Sequence, residues 1–445
     1  MDYTAFDLMV DVGLISVLLI VGTFMRRHFA WFRKLLIPAP ITAGLLALLL
    51  GPEVLGIMPF SGALGDYSTL LIAVVFAAMP YSMSFDSRDI SKAKNMWSYS
   101  ASMFLGQWGL FVLLGVFLFA PVFGTEDWFG MMLPVGFVGG FGTAAAVGGA
   151  LDSIGIQEAS SLGFTAATVG TLAAIVGGII FANWGIKTGR TATLPKKLPW
   201  ELRSGEITKK SEQPSIGHAT TNPSSIDPLA LHLGFIMVTV TIAYFIQQAI
   251  QHQFANVSIP LFALSFVVGI GGKIFLKVIR RPEYLDPTTV KSISGASTDF
   301  LIAFGIASIV PAAVADYLWP LVVMFVLGVV YCTLFFFVAS PIFFGEKWLE
   351  RGIFGWGWAT AAVATGIALL KIVDPKLESG ALDEYGIAYV GYAPIEIAVN
   401  ILAPLAVIAG FTMGFGAITT VAAIVIFAIP FVLGWLPKRD GSAQS

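Results

Sequence analysis

Apolar residues run in blocks separated by short polar or basic stretches: 8–25, 35–51, 69–84, 98–124, 128–151 and 159–185. After a polar stretch, 187–226, come 228–250, 257–276, 298–316, 318–344, 352–370, 386–410 and 412–436. Blocks of this length match a helix crossing the hydrocarbon core of a bilayer. Inside that core each backbone polar group must be satisfied within its own segment, which selects helices. The pattern predicts an all-α polytopic membrane protein.

The basic residues set the sidedness. Arg26, Arg27, Arg33 and Lys34 follow the first block, and Arg88, Lys92 and Lys94 follow the third. Further groups lie at 187–210, 273–291, Lys347/Arg351, Lys371/Lys376 and Lys438/Arg439, which completes all 25 Lys and Arg. The loops 52–68, 122–127 and 251–256 hold none. Under the positive-inside rule this predicts an external N-terminus, with the central stretch and C-terminus cytoplasmic. Simple alternation fails twice. Three blocks separate the basic loop 88–94 from 187–210, and three separate Lys347/Arg351 from Lys438/Arg439. One segment in each half must therefore enter and leave on the same side. The Gly-rich segments 128–156 and 352–374 are the candidates, read as re-entrant hairpins. The expectation is about 11 spans plus 2 hairpins.

The two Gly-rich segments resemble each other. GFGTAAAVGG (140–149) and GWATAAVATG (357–366) share Gly140/Gly357, Thr143/Thr360, Ala144/Ala361, Ala145/Ala362 and Gly149/Gly366 at an offset of 217. With opposite entry sides, this is the pattern of inverted repeats, whose binding sites lie at the repeat interface near the midplane. The predicted organisation is an N-terminal membrane repeat, 1–186, with its hairpin at about 128–156. A flexible cytoplasmic linker, 187–226, follows. The C-terminal membrane repeat, 227–411, has its hairpin at about 352–374, and an extra span and tail occupy 412–445.

Composition narrows the class. Of 445 residues, 57% are hydrophobic and 12% charged, and the mean hydropathy is +0.84. That excludes a soluble enzyme, a secreted disulfide module and a disordered chain. The opening MDYTAFDLMVDVGL has no basic n-region or small-residue cleavage site, so no removable signal peptide is expected. One cysteine and four histidines leave no transition-metal framework. No phosphate-binding lysine follows the glycines, and no cofactor motif occurs. The net charge of −2 does not point to nucleic acid.

Candidate chemistry gathers at the hairpin tips. Gly140, Gly142 and Gly357 allow tight turns or close approach to a ligand. Freed helix N-termini suit a carboxylate, and the hydroxyls of Thr143 and Thr360 offer oxygens to sodium. Phe141 and Trp358 at the tips would shape the pocket. The competing reading of the glycines is helix packing. Glu396 and Asn400 lie i,i+4 inside an apolar block, flanked by Pro394 and Pro404. An intramembrane acid calls for a partner or a function, here a sodium ligand or a proton acceptor. Thr168 is a further sodium candidate, although threonines commonly bond back to their own helix. Asp299 reads as an N-cap acid opening its span.

The runs KLLIPAPITAGLLALLLG, VGGFGTAAAVGG, TAATVGTLAAIVGG, GWGWATAAVATG and IEIAVN occur in an order similar to the glutamate:sodium symporter family. The resemblance implies two inverted halves with re-entrant loops, sodium-coupled L-glutamate import, an elevator-like motion and a homodimer in the cell membrane. Asn400, Gly140, Gly142 and Thr143 carry over best from the family pattern. With the residue reading above, substrate contacts are expected at Gly140, Phe141, Gly142, Thr143, Gly357, Trp358 and Thr360, and sodium at Glu396, Asn400, Thr143, Thr360 and Thr168. The chain departs from the family pattern at Phe141, where relatives carry histidine, and at Glu396, where they carry aspartate. The leading alternative is a cation/proton exchanger using Glu396; a channel or receptor would call for rings of polar residues on several helices, which the sequence does not show, and an intramembrane enzyme lacks a catalytic set.

Overall fold

The computed structural model describes residues 4–35, 37–82, 90–191, 204–253, 259–374 and 377–437. The chain is 80% helix, with no strand among the described residues. In chain order the first elements are α1 (Ala5–His28), α2 (Ala30–Leu35), α3 (Ala39–Leu50), α4 (Leu64–Ser82), α5 (Ile90–Leu114) and α6 (Ala120–Phe123). Then come α7 (Met132–Gly136), α8 (Gly140–Thr143), α9 (Gly149–Asp152) and α10 (Ala159–Lys187). The second half holds α11 (Pro228–Gln253), α12 (Leu261–Val278), α13 (Pro287–Ala307), α14 (Pro311–Asp316) and α15 (Leu318–Leu334). It ends with α16 (Ser340–Phe344), α17 (Trp348–Thr360), α18 (Val363–Val373), α19 (Ala381–Ile408) and α20 (Thr412–Val432).

Among the described residues nine helical stretches are long and apolar enough to cross a membrane. Two expected spans differ. Block 35–51 yields α3, whose 12 residues reach about 18 Å, short of a core of about 30 Å. Block 298–316 falls across the end of α13, which begins at Pro287, and the separate α14.

Asp299 therefore lies inside α13 and caps nothing. The cap is Asp286, followed by Pro287 in the first turn. Its carboxylate accepts from the Thr289 N–H (2.8 Å), the Thr289 hydroxyl (2.8 Å) and the His218 N–H (3.0 Å). Partial burial pushes the Asp286 pKa up, but these hydrogen bonds and the nearby His218 outweigh it and hold the carboxyl below its ordinary value. A depressed folded-state pKa means a contribution complete above the ordinary carboxylate range and lost as pH falls through the folded value. Asp286→Ala should cost about 1 kcal/mol near neutral pH. Melting of parent and variant across an acid series checks this, because the difference must shrink in acid. The same contacts bear on the stretch between the halves. Its described part, 204–226, docks on the start of α13, with Thr220 Oγ1 on the Tyr284 carbonyl (2.9 Å) and Ser292 Oγ on the Ile216 carbonyl (2.6 Å).

Several landmarks occur once in each half. Helices α5 and α15 each run into a π segment, Gly115–Phe119 and Phe335–Ala339, then into a short helix with Pro121 or Pro341 in its first turn. These recur at an offset of 220. Pro38 and Pro260, ahead of α3 and α12, recur at 222, as do the starts of α10 and α19. The offset of 217 from the glycine motifs is thus out of register. Gly140–Thr143 follow the interruption in their segment, and Gly357–Thr360 precede the interruption in theirs.

Helix α10 is the spine under both Gly-rich segments. A Cβ at Gly136 of α7 would lie 2.4 Å from the Ala167 backbone nitrogen. A Cβ at Gly170 would lie 2.4 Å from the Thr360 carbonyl oxygen, and one at Gly185 would lie 2.3 Å from Leu349. One half of α10 thus carries α7 and α8, and the other carries α17 and α18. Trp356 Nε1 donates to the Ala174 carbonyl (3.0 Å) and ties α17 to α10. Arg351 fastens α17 to the start of α19 through a two-pronged ion pair with Glu384, Nε to Oε2 at 2.8 Å, and through the Ser379 carbonyl.

Candidate functional site

Two interrupted helices meet on α10. In the first, α7 stops at Gly136, residues 137–139 leave the helix, and α8 restarts at Gly140 with φ +63. In the second, α17 stops at Thr360, Ala361 and Ala362 are non-helical, and α18 starts at Val363. The legs hold 11 to 13 residues from Gly140 to Asp152 and in α17 and α18, about 17–20 Å, too short to cross a core of about 30 Å. Leg packs on leg in the second pair, where a Cβ at Gly357 would lie 2.7 Å from the Gly366 Cα.

The two interruptions touch. A Cβ at Gly140 would lie 2.7 Å from the Ala361 carbonyl oxygen. Each interruption starts a helix, so the first turns of two N-termini, beginning at Gly140 and Val363, open close together, although the Gly140 N–H itself donates to the Phe137 carbonyl (3.2 Å). Both carry partial positive charge. No Lys, Arg or His lies in 129–152, 159–186, 352–370 or 381–408, so these dipole ends are the positive features that the four segments supply.

Helix α19 forms the facing wall. Tyr385, Tyr389, Tyr392, Glu396 and Asn400 lie along one stripe of it. Trp358 packs edge-on against Tyr392 (5.5 Å between ring centroids) and tilted against Tyr385 (5.8 Å). Phe104 of α5 closes on Tyr392 from the other side (5.4 Å). The phenols of Tyr389 and Tyr392 face the half-buried Glu396 carboxyl, although the Tyr392 hydroxyl completes no well-formed hydrogen bond. Asn400 is 3% exposed, and its Oδ1 has no partner. Pro404, four residues on, lacks the N–H that would bond the Asn400 carbonyl. Asn400 thus presents an unpartnered side-chain oxygen beside a carbonyl that lacks its usual i+4 donor.

Gln107 of α5 joins this wall to the second interruption. Its Nε2 donates to the Ala359 carbonyl (2.8 Å), and its fully buried Oε1 has no partner. Sequence reasoning passed over Gln107, although a lone amide inside the apolar block 98–124 was the signal. It also passed over the tyrosines, whose spacing of four, three and four residues up to Glu396 marks one helix face.

The expected residues divide accordingly. Gly140 stands at the contact between interruptions, with Phe141 and Thr143 buried just after it. Trp358 and Thr360 lie just before the second interruption, with Trp358 on the tyrosine wall. Gly142 sits 3.6 Å from Ile72, measured from the position of a Cβ, in ordinary contact. Gly357 packs leg against leg, and its carbonyl accepts from the N–H groups of Ala361 and Ala362 (3.3 Å for Ala362) at the second interruption. The Thr360 hydroxyl donates to the Trp356 carbonyl (2.6 Å), and the Thr168 hydroxyl donates to the Phe164 carbonyl (2.8 Å). Thr168 is therefore engaged in back-bonding within its own helix. Among the described residues no group of three His, Cys, Asp or Glu side chains could hold a metal ion.

A family model described as "Sodium/glutamate symporter" matches residues 4–348. The match covers the first interruption and α10, and it ends where α17 begins. No curated protein matches the chain.

Proposed function

The chain belongs to the sodium/glutamate symporter family, and from that premise we propose that it couples sodium entry to uptake of L-glutamate or a related small carboxylate. It is a multi-pass membrane protein and a transporter, not an enzyme. The observation that carries the substrate reading is the contact of Gly140 with Ala361, which opens two helix N-termini side by side. Two N-termini suit two carboxylates without a buried cation. The substrate ammonium then finds Glu396 and the tyrosine hydroxyls. Sodium takes oxygens from Asn400, whose side-chain oxygen has no partner and whose carbonyl lacks its i+4 donor, with Thr143, Thr360 and Glu396 as neighbours.

In this reading the recurring order of elements reflects two inverted repeats, 1–186 and 227–411, joined by 187–226 and followed by 412–445. The interrupted helices are re-entrant hairpins at the midplane. Helix α10 and both hairpins move as one body in an elevator-type exchange of access, within a homodimer. The protein sits in the cell membrane with its N-terminus outside and its linker and C-terminus in the cytoplasm. A second reading, cation/proton exchange through Glu396, draws on the two phenols that face that carboxyl.

Radiolabelled L-glutamate uptake into proteoliposomes, under an inward sodium gradient and an inward potassium gradient, tests the proposal. Accumulation driven by sodium and competed by unlabelled glutamate is the expected result. Sodium-driven proton efflux with no solute uptake would overturn it in favour of the exchanger.

A further inference from the structure

Helices α5, α15 and α20 enclose a groove of about 380 Å³, away from the interrupted helices. Its walls include Gly106 and Leu110 of α5, Phe335 after α15, and Ala423, Ala428 and Phe431 of α20. The hydroxyls along it are all turned to backbone. Ser102 donates to the Tyr99 carbonyl (3.2 Å), Tyr331 to the Met103 carbonyl (3.0 Å) and Thr420 to the Gly416 carbonyl (2.8 Å). The groove therefore offers a solute almost nothing polar. All three helices are long and apolar enough to cross a membrane, which sets the groove at the depth of the hydrocarbon core.

Size and charge identify the occupant. At about 30 Å³ for a water-sized group, the volume holds on the order of a dozen methylenes. A helix, at about 10–12 Å across, does not fit. From Leu110 to Ser102 the groove covers about 12 Å of α5, within one leaflet's share of a core of about 30 Å. Two turns further along α5 the surface turns polar and basic. Asn95 Nδ2 donates to the Trp435 and Phe343 carbonyls (3.1 Å each), and Lys94 Nζ stands 5.4 Å from the Trp435 ring centroid. An apolar slot that ends at a lysine and a tryptophan is the chemistry of an acyl chain below an anionic headgroup. We infer that this groove binds one acyl chain of a phospholipid whose anionic headgroup rests at Lys94. Most of the groove's lining comes from α20, which lies beyond the stretch matched by the family model.

Native mass spectrometry of the purified full chain, titrated with palmitoyl-oleoyl phosphatidylglycerol, phosphatidylcholine or free oleate, tests this. The wild-type chain should hold one phosphatidylglycerol, at least tenfold more tightly than phosphatidylcholine or oleate. Ala428→Trp fills the slot and should weaken phosphatidylglycerol at least tenfold. Lys94→Gln leaves the slot intact and should erase the preference over phosphatidylcholine, which keeps the test open if the tryptophan variant misfolds. Undiminished binding in a folded Ala428→Trp would overturn the groove assignment. Oleate bound as tightly as phosphatidylglycerol, or no headgroup preference in the wild type, would overturn the phospholipid.

Discussion

Asn400→Leu should raise the melting temperature and abolish sodium-driven uptake. The two effects have one origin. Asn400 Oδ1 is buried with no partner, and a buried acceptor left unsatisfied costs roughly 1–3 kcal/mol. Leucine has nearly the shape of asparagine and carries no such debt, so the variant should gain stability of that order. A site oxygen retained against stability is the usual mark of function. With the side-chain oxygen gone, uptake should fall at least 100-fold while the folded fraction does not fall. Melting and uptake on the same preparation decide the matter. A stabilised variant with normal uptake would remove Asn400 from the site.

Gly140→Ala should reduce uptake at least tenfold while leaving the protein folded. Gly140 has φ +63, a conformation that costs a side-chain-bearing residue about 1–2 kcal/mol. Its new Cβ would also sit 2.7 Å from the Ala361 carbonyl oxygen. Backbone must move, and the backbone in question is the contact between the two interruptions. Gly142→Ala is the matched control for folding. Its Cβ meets only Ile72 Cδ1, at 3.6 Å, with no unusual φ, and alanine is the better helix former. It should melt at or above the wild-type temperature. Equal uptake by Gly140→Ala and the wild type would show that the contact does not matter to transport.

The broken character of the two Gly-rich segments was legible from the placement of 25 Lys and Arg residues, because the parity of crossings is a global constraint. The spacing at which landmarks recur between the halves was not. Gly and Ala are so frequent that GFGTAAAVGG and GWATAAVATG match at 217, while the π segments and prolines recur at 220 to 222. Asp299 looked like a cap because the polar stretch before it reads as a loop. The Asp286–Pro287 pair carried the ordinary signal of a helix start and was overlooked. Glu396 and Asn400 were visible as polar residues in an apolar block. Which side chains meet them was not, since Trp358 and Phe104 arrive from helices distant in the chain.

The two clients of α10 are made at very different times. The first interrupted helix precedes α10 directly, so half of its glycine stripe is covered as soon as α10 leaves the ribosome. The other half waits for residues 348–373, which begin 161 positions after Lys187. At about 5–20 residues per second, that is roughly 8–30 s in the membrane with Gly185 bare, and with it Gly177, whose Cβ would lie 2.4 Å from the Trp356 ring. A helix surface without side chains is an open invitation to any neighbouring helix that can pack closely against it. During synthesis this face of the spine therefore stays open to wrong partners until Trp356 and Leu349 arrive to cover it.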